Sequence, residues 1–117
     1  MIPSNIRALV YTRDGHRCQR CGQSVLNVPS SIHHRKPRGM GGTKDTRSND
    51  PRNLIRVCGS GVSGCHGEIE SCRQEARDSG WLISSYDDLP EPLVTVEGFL
   101  LYLSEDGTST LMYGEAS

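Results

Sequence analysis

Between Ser4 and Arg13, Ile6, Leu9 and Val10 recur at helical spacing, and Gly15 stops the run; the pattern predicts a short helix capped by Ser4. The helical period is then lost through Cys18-Gln-Arg-Cys21-Gly22, a turn that brings two thiols onto one knuckle. SSIHHR at 30–35 predicts a strand, and the Gly-, Pro- and polar-rich stretch at 36–52 predicts a loop. NLIRV at 53–57 predicts a second strand, which delivers the chain to Cys58. From Cys65 to Ser79 the spacing predicts one helix with Ile69, Cys72 and Ala76 on a shared face and Gly80 as its C-cap. After Gly80 the pattern changes to β-formers (WLISSYDDL, LVTVE, FLLYLS, TLMYG) between turn signals at Asp87-Asp88, Glu91-Pro92 and Asp106-Gly107, which predicts a small β region.

Composition changes the picture by making the core thin. The 117 residues are 34% hydrophobic, with one Trp and one Phe. A single domain this poor in apolar mass needs a staple, usually a structural metal or disulfides. Five cysteines are present, an odd number, and the start of the chain has no apolar leader, so disulfides of a secreted protein are disfavoured. In a reducing cytoplasm, paired cysteines are more often metal ligands. Cys18 with Cys21 and Cys58 with Cys65 make two half-sites for a structural zinc ion. The second pair is spaced by six residues, GSGVSG, small enough to fold back so that both sulfurs face one ion. Cys72 is left over and is expected in the core as a small hydrophobe. No run approaches the roughly 18 apolar residues of a membrane span, so a soluble protein with no membrane partner is expected.

Net charge is −1, but it is unevenly placed. All 13 Lys and Arg fall within residues 1–77 beside six of the 14 acids, and the other eight acids follow without a base. A basic body with an acidic tail is the asymmetry expected when one part meets phosphate and the other does not.

Three of the four histidines gather with Asn53 and Glu70 around the predicted strands and helix: His33, His34 and His66. Adjacent strand residues point to opposite faces, so His33 and His34 must do different work. Taken together, C-x2-C, IHHR-x-PRG-x-GG, P-x-NLI-x-VC and CH resemble the HNH endonuclease family, and more narrowly its short phage-encoded members with a four-cysteine zinc site; the motif region runs from Arg17 to about Arg77. The resemblance implies an α+β fold: a ββα-metal (His-Me finger) motif stapled by structural zinc, with a short N-terminal helix and a small C-terminal β region. It implies a nuclease domain at 1–80 and an acidic β extension at 81–117 packed on the same domain.

By the same resemblance, His34 is the general base that activates water. His33 and His66 hold a catalytic divalent ion, with Glu70 as a further candidate ligand, and Asn53 steadies the base and the loop. Imidazole ligands admit Mg2+, Mn2+, Ni2+ or Zn2+. Arg35, Lys36, Arg38, Lys44, Arg47 and Arg52 flank the cluster and are expected to track the DNA backbone without reading bases. The resemblance further implies a phage protein acting in the host cytoplasm, with packaging proteins such as the terminase as partners. Two other classes stay open at this point: a zinc-knuckle DNA-binding module without catalysis, and a zinc ribbon that binds proteins.

Overall fold

A computed structural model describes residues 2–36, 49–60, 62–83, 92–95 and 97–112. Among these residues the fold is α+β, with helices and two small antiparallel sheets. Helix α1 (Ser4–Asp14) closes at Gly15, whose amide donates to the Tyr11 carbonyl at 3.1 Å. Pro3, not Ser4, occupies the N-cap, and no side chain caps that end. Strands β1 (Ser30–His34) and β2 (Leu54–Cys58) pair antiparallel, with Ser30 opposite Cys58 and His34 opposite Leu54. A 3-10 turn at Pro51–Asn53 leads into β2.

Every residue of β2 is buried, with α1 and α2 (Gly64–Ser71) both packed against it. A strand covered this way has little use for alternation, which fits the continuous LIRVC run. Its one cation, Arg56, lies with its guanidinium 4.1 Å from the Tyr11 ring centre and donates to Ser30 Oγ. Asp14 joins α1 to this layer: its buried carboxylate accepts from the Arg56 amide, Arg13 and Gln19. Gln19 sits in the cysteine knuckle, so the same carboxylate fixes where that knuckle stands relative to β2.

The expected helix at 65–79 is two. Helix α3 (Arg73–Asp78) follows α2 after a break at Cys72, whose backbone leaves helical geometry at φ −113°, ψ 62°. The break corrects the expectation for Cys72: it is exposed, while Ile69 and Ala76 stay in the core. Trp81, Leu82 and Ile83 open the stretch in which a small β region is expected. They form no strand, but their side chains are buried.

The C-terminal sheet has the order β3 (Leu93–Val94), β4 (Leu100–Leu103), β5 (Ser109–Met112), all antiparallel. The β4–β5 turn contains the Asp106-Gly107 signal; the Asp87-Asp88 and Glu91 turn signals lie outside the described residues. Leu93, Leu101 and Leu103 join Ile55, Val57, Ile69, Trp81 and the sulfur-bearing residues Cys18, Cys58 and Cys65 in one buried cluster. Gly80 makes that junction possible. Its φ is +79°, and a Cβ there would stand 2.2 Å from the Pro92 carbonyl oxygen.

Candidate metal centres and histidine site

Four sulfurs meet where the knuckle faces the end of β2 and the start of α2. The ligand atoms of Cys18, Cys21, Cys58 and Cys65 all lie within 4.8 Å of one another. On the first half-site, the Cys18 carbonyl accepts the Gly22 amide at 2.8 Å, tightening the knuckle. On the second, the 59–64 loop doubles back through paired backbone hydrogen bonds between Ser60 and Ser63, 3.1 Å each. Gly59 permits this turn: its φ is +86°, and a Cβ would lie 2.0 Å from the Ser63 carbonyl oxygen. The six-residue spacing therefore serves the same end as the usual shorter one.

Backbone amides already point at the sulfurs. The Cys65 amide donates to Cys58 Sγ at 3.4 Å and the Cys21 amide to Cys18 Sγ at 3.5 Å. Burial works against a Cys58 thiolate, yet the Cys65 amide and the neighbouring Gln23, Cys65 and Cys18 groups outweigh it and bring Cys58 down to about 7. Burial pushes the Cys18 and Cys65 thiols up, Cys65 strongly. Four thiolates this close need a cation between them, and a tetrahedral, sulfur-preferring ion such as zinc fits the donor set. Arg20 braces the centre from outside. It donates to Cys65 Sγ at 3.4 Å, pairs with Glu68 and lies 5.0 Å from the Trp81 ring centre.

The second centre begins one residue after Cys65. Strand alternation puts Ser31 and His33 on one face of β1 and His34 on the other. His66 and Glu70, one helical turn apart on α2, meet the first face, and the donor atoms of His33, His66 and Glu70 lie within 4.8 Å of one another. His33 Nδ1 is 3.7 Å from Glu70 Oε1, and the His33 and His66 rings stand edge to face at 5.2 Å. Burial holds the His33 imidazole down to about 4; the Trp81 carbonyl opposes this, and His66, His34 and Arg35 add to it. Burial also lowers His66, against the pull of Glu70. Two neutral imidazoles and a carboxylate, all able to present lone pairs to one point, fit a divalent cation.

His34 faces away from this set and is half-buried, with Nε2 3.2 Å from Asn49 Oδ1. Asn53 is fully buried. Its Oδ1 accepts the Lys36 amide at 2.7 Å and its carbonyl accepts the Arg35 amide at 2.7 Å, so it pins the start of the loop that follows β1. Asn49 escaped the sequence reading because a lone Asn in a polar loop carries no spacing signal.

The basic residues divide. Arg35 was expected to face DNA, but its side chain is wholly buried, donating to the Gly80 carbonyl from Nε and to the Arg52 carbonyl from Nη1, each at 2.8 Å. It ties β1 to the 3-10 turn and to the segment after α3, a structural role that removes it from any phosphate contact. Lys36 and Arg52 are partly exposed, and Arg52 pairs with Asp50 and Glu105. Arg38, Lys44 and Arg47 lie outside the described residues. No helix among the described residues is long and apolar enough to cross a membrane. Comparison with family models, with curated proteins and with solved structures finds no match for this chain.

Proposed function

We propose that this protein is a metal-dependent DNA endonuclease of the HNH (ββα-metal) type, with a structural zinc on Cys18, Cys21, Cys58 and Cys65. One observation carries the reading: adjacent strand residues put His33 with His66 and Glu70 on one side and leave His34 on the other beside Asn49. A site for a cation beside a separate imidazole on the adjacent residue is the division of labour that phosphodiester hydrolysis needs.

His34 acts as the general base. Its imidazole takes a proton from water, with the ring oriented by the contact between Nε2 and Asn49 Oδ1. The water oxygen bonds to phosphorus, the bond to the 3′ oxygen breaks, and that oxygen leaves to be protonated by solvent. A divalent cation held by His33, His66 and Glu70 would supply charge neutralisation at the scissile phosphate and the departing oxygen. Asn53 holds the start of the basic loop, and Lys36 and Arg52, both partly exposed, are candidate contacts to the DNA backbone.

Incubation of supercoiled plasmid with the protein and Mn2+ or Mg2+ tests the reading. Nicking that EDTA abolishes is expected. DNA binding without cleavage under every divalent ion would instead favour a non-catalytic zinc-knuckle module, which keeps the four cysteines but has no use for three clustered histidines.

A further inference from the structure

Each of the two candidate ligand histidines makes a hydrogen bond on the ring nitrogen turned away from its role, and the chemistry of each partner settles where the proton sits. The Ser31 hydroxyl lies 2.9 Å from the Gly59 carbonyl oxygen and 2.6 Å from His66 Nδ1. A hydroxyl has one proton and a carbonyl only accepts. Both contacts are satisfied in one arrangement: Ser31 donates to Gly59, and His66 Nδ1–H donates to Ser31 Oγ. The lone pair of His66 is then on Nε2. His33 Nε2 lies 2.7 Å from the Trp81 carbonyl, so Nε2 carries the proton and the lone pair is on Nδ1, the atom nearest Glu70.

We propose that Ser31 and the Trp81 carbonyl are positioning groups that hold His66 and His33 in opposite tautomers, so that a divalent cation is met by Nε2 of one and Nδ1 of the other. The proposal rests on the nuclease reading for its cation, and it adds the residues that prepare the site before the cation arrives. Placement supports it. Ser31 shares a strand face with His33, two residues on, and the Gly59 carbonyl that accepts its hydrogen bond belongs to the turn between the last strand residue, Cys58, and α2. One hydroxyl therefore ties the histidine that opens α2 to both strands. The Trp81 carbonyl comes from the far side of α3, where Arg20 lies against the indole and also donates to Cys65 Sγ. The four-sulfur centre and the His33 tautomer are thus held by one connected set of groups. Outer partners of this kind fix ring orientation, and their loss typically costs about 10- to 100-fold in metal affinity.

Long-range 1H–15N correlation spectra of the zinc-loaded protein, with no other divalent ion added, show the tautomers directly. His66 protonated on Nδ1 and His33 protonated on Nε2 are expected; either ring in the other form overturns the proposal. Calorimetric titration with Mn2+ gives the second readout. Ser31→Ala should convert His66 to a mixture of tautomers and weaken Mn2+ binding about 10- to 100-fold, and Ser31→Thr, which keeps the hydroxyl and suits a strand, should restore both. Mn2+ binding lost in His33→Ala but unchanged in Ser31→Ala would overturn the positioning role and leave the nuclease reading standing. No binding of Mn2+, Mg2+, Ni2+ or a second Zn2+ by the wild type would overturn both.

Discussion

His33 Nδ1 lies 3.7 Å from Glu70 Oε1, with the imidazole buried and the carboxylate partly open to solvent. The pair links the two elements of the histidine site, since His33 comes from β1 and Glu70 from α2. Its Nε2–H is committed to the Trp81 carbonyl, so the side of His33 facing Glu70 has a lone pair and no proton at neutral pH. Two acceptors face each other there, while the other Glu70 oxygen pairs with Arg73 at 3.2 Å; on the nuclease reading a divalent cation would bridge the two acceptors.

That burial makes the protein acid-sensitive when only the zinc site is filled. His33 is held down to about 4 in the folded chain, against about 6.5 unfolded, so the unfolded state binds the proton first. Stability should be full above pH 6.5 and fall as pH drops from there to about 4, by up to about 3 kcal/mol from this one group. His33→Gln keeps an N–H for Trp81 but does not titrate, so its urea midpoint should fall less between pH 7 and pH 5 than that of the wild type. Equal slopes for the two proteins would contradict the assignment.

Cys18, Cys58 and Cys65 sit inside the hydrophobic cluster that joins α2, β2 and the C-terminal sheet, and Cys21 packs against it, so the metal is expected to be part of the core. Elemental analysis should find about one tightly held zinc ion per chain, and strong chelators should unfold the chain as well as inactivate it. A Cys58→Ser variant that is metal-free yet shows a cooperative thermal transition near that of wild type would show that the core stands without the ion.

Arg35 and Arg52 should behave differently under substitution. Arg35→Met leaves the Gly80 and Arg52 carbonyls without their guanidinium donor and should cost about 2 to 3 kcal/mol of stability, with DNA affinity of the folded protein unchanged. Arg52→Glu should weaken binding to all DNA sequences alike and reduce the slope of log K against log salt by about 0.9. Fluorescence anisotropy over a salt series separates the two. An Arg35 variant that folds normally but loses the salt slope would put that side chain back among the phosphate contacts.

What sequence could show followed from side-chain spacing. The strands around His33 and His34, the turn of small residues between Cys58 and Cys65, and the stop at Gly15 each leave a pattern, and each appears within a residue or two of its expected place. Cys72 did not, because helical spacing places it inward only if the helix runs on, and the break falls on that residue. Arg35 in a basic stretch looks solvated; what buries it are the Gly80 and Arg52 carbonyls, and backbone acceptors have no signature in sequence. The same reason hid the Trp81 carbonyl behind His33. Ser31 was hidden differently: Ser is unremarkable in a strand until the opposing His66 and Gly59 are brought to it.

On the proposed nuclease reading, His34 removes a proton from water at a phosphodiester while His33 and His66 hold a cation. The most direct measurement is the single-turnover rate of plasmid nicking in Mn2+ by wild type and His34→Ala, with DNA affinity and thermal stability measured on the same preparations. A rate lower by about 100- to 10,000-fold is expected in the variant, with affinity and stability close to wild type. A variant that nicks at more than half the wild-type rate would contradict it.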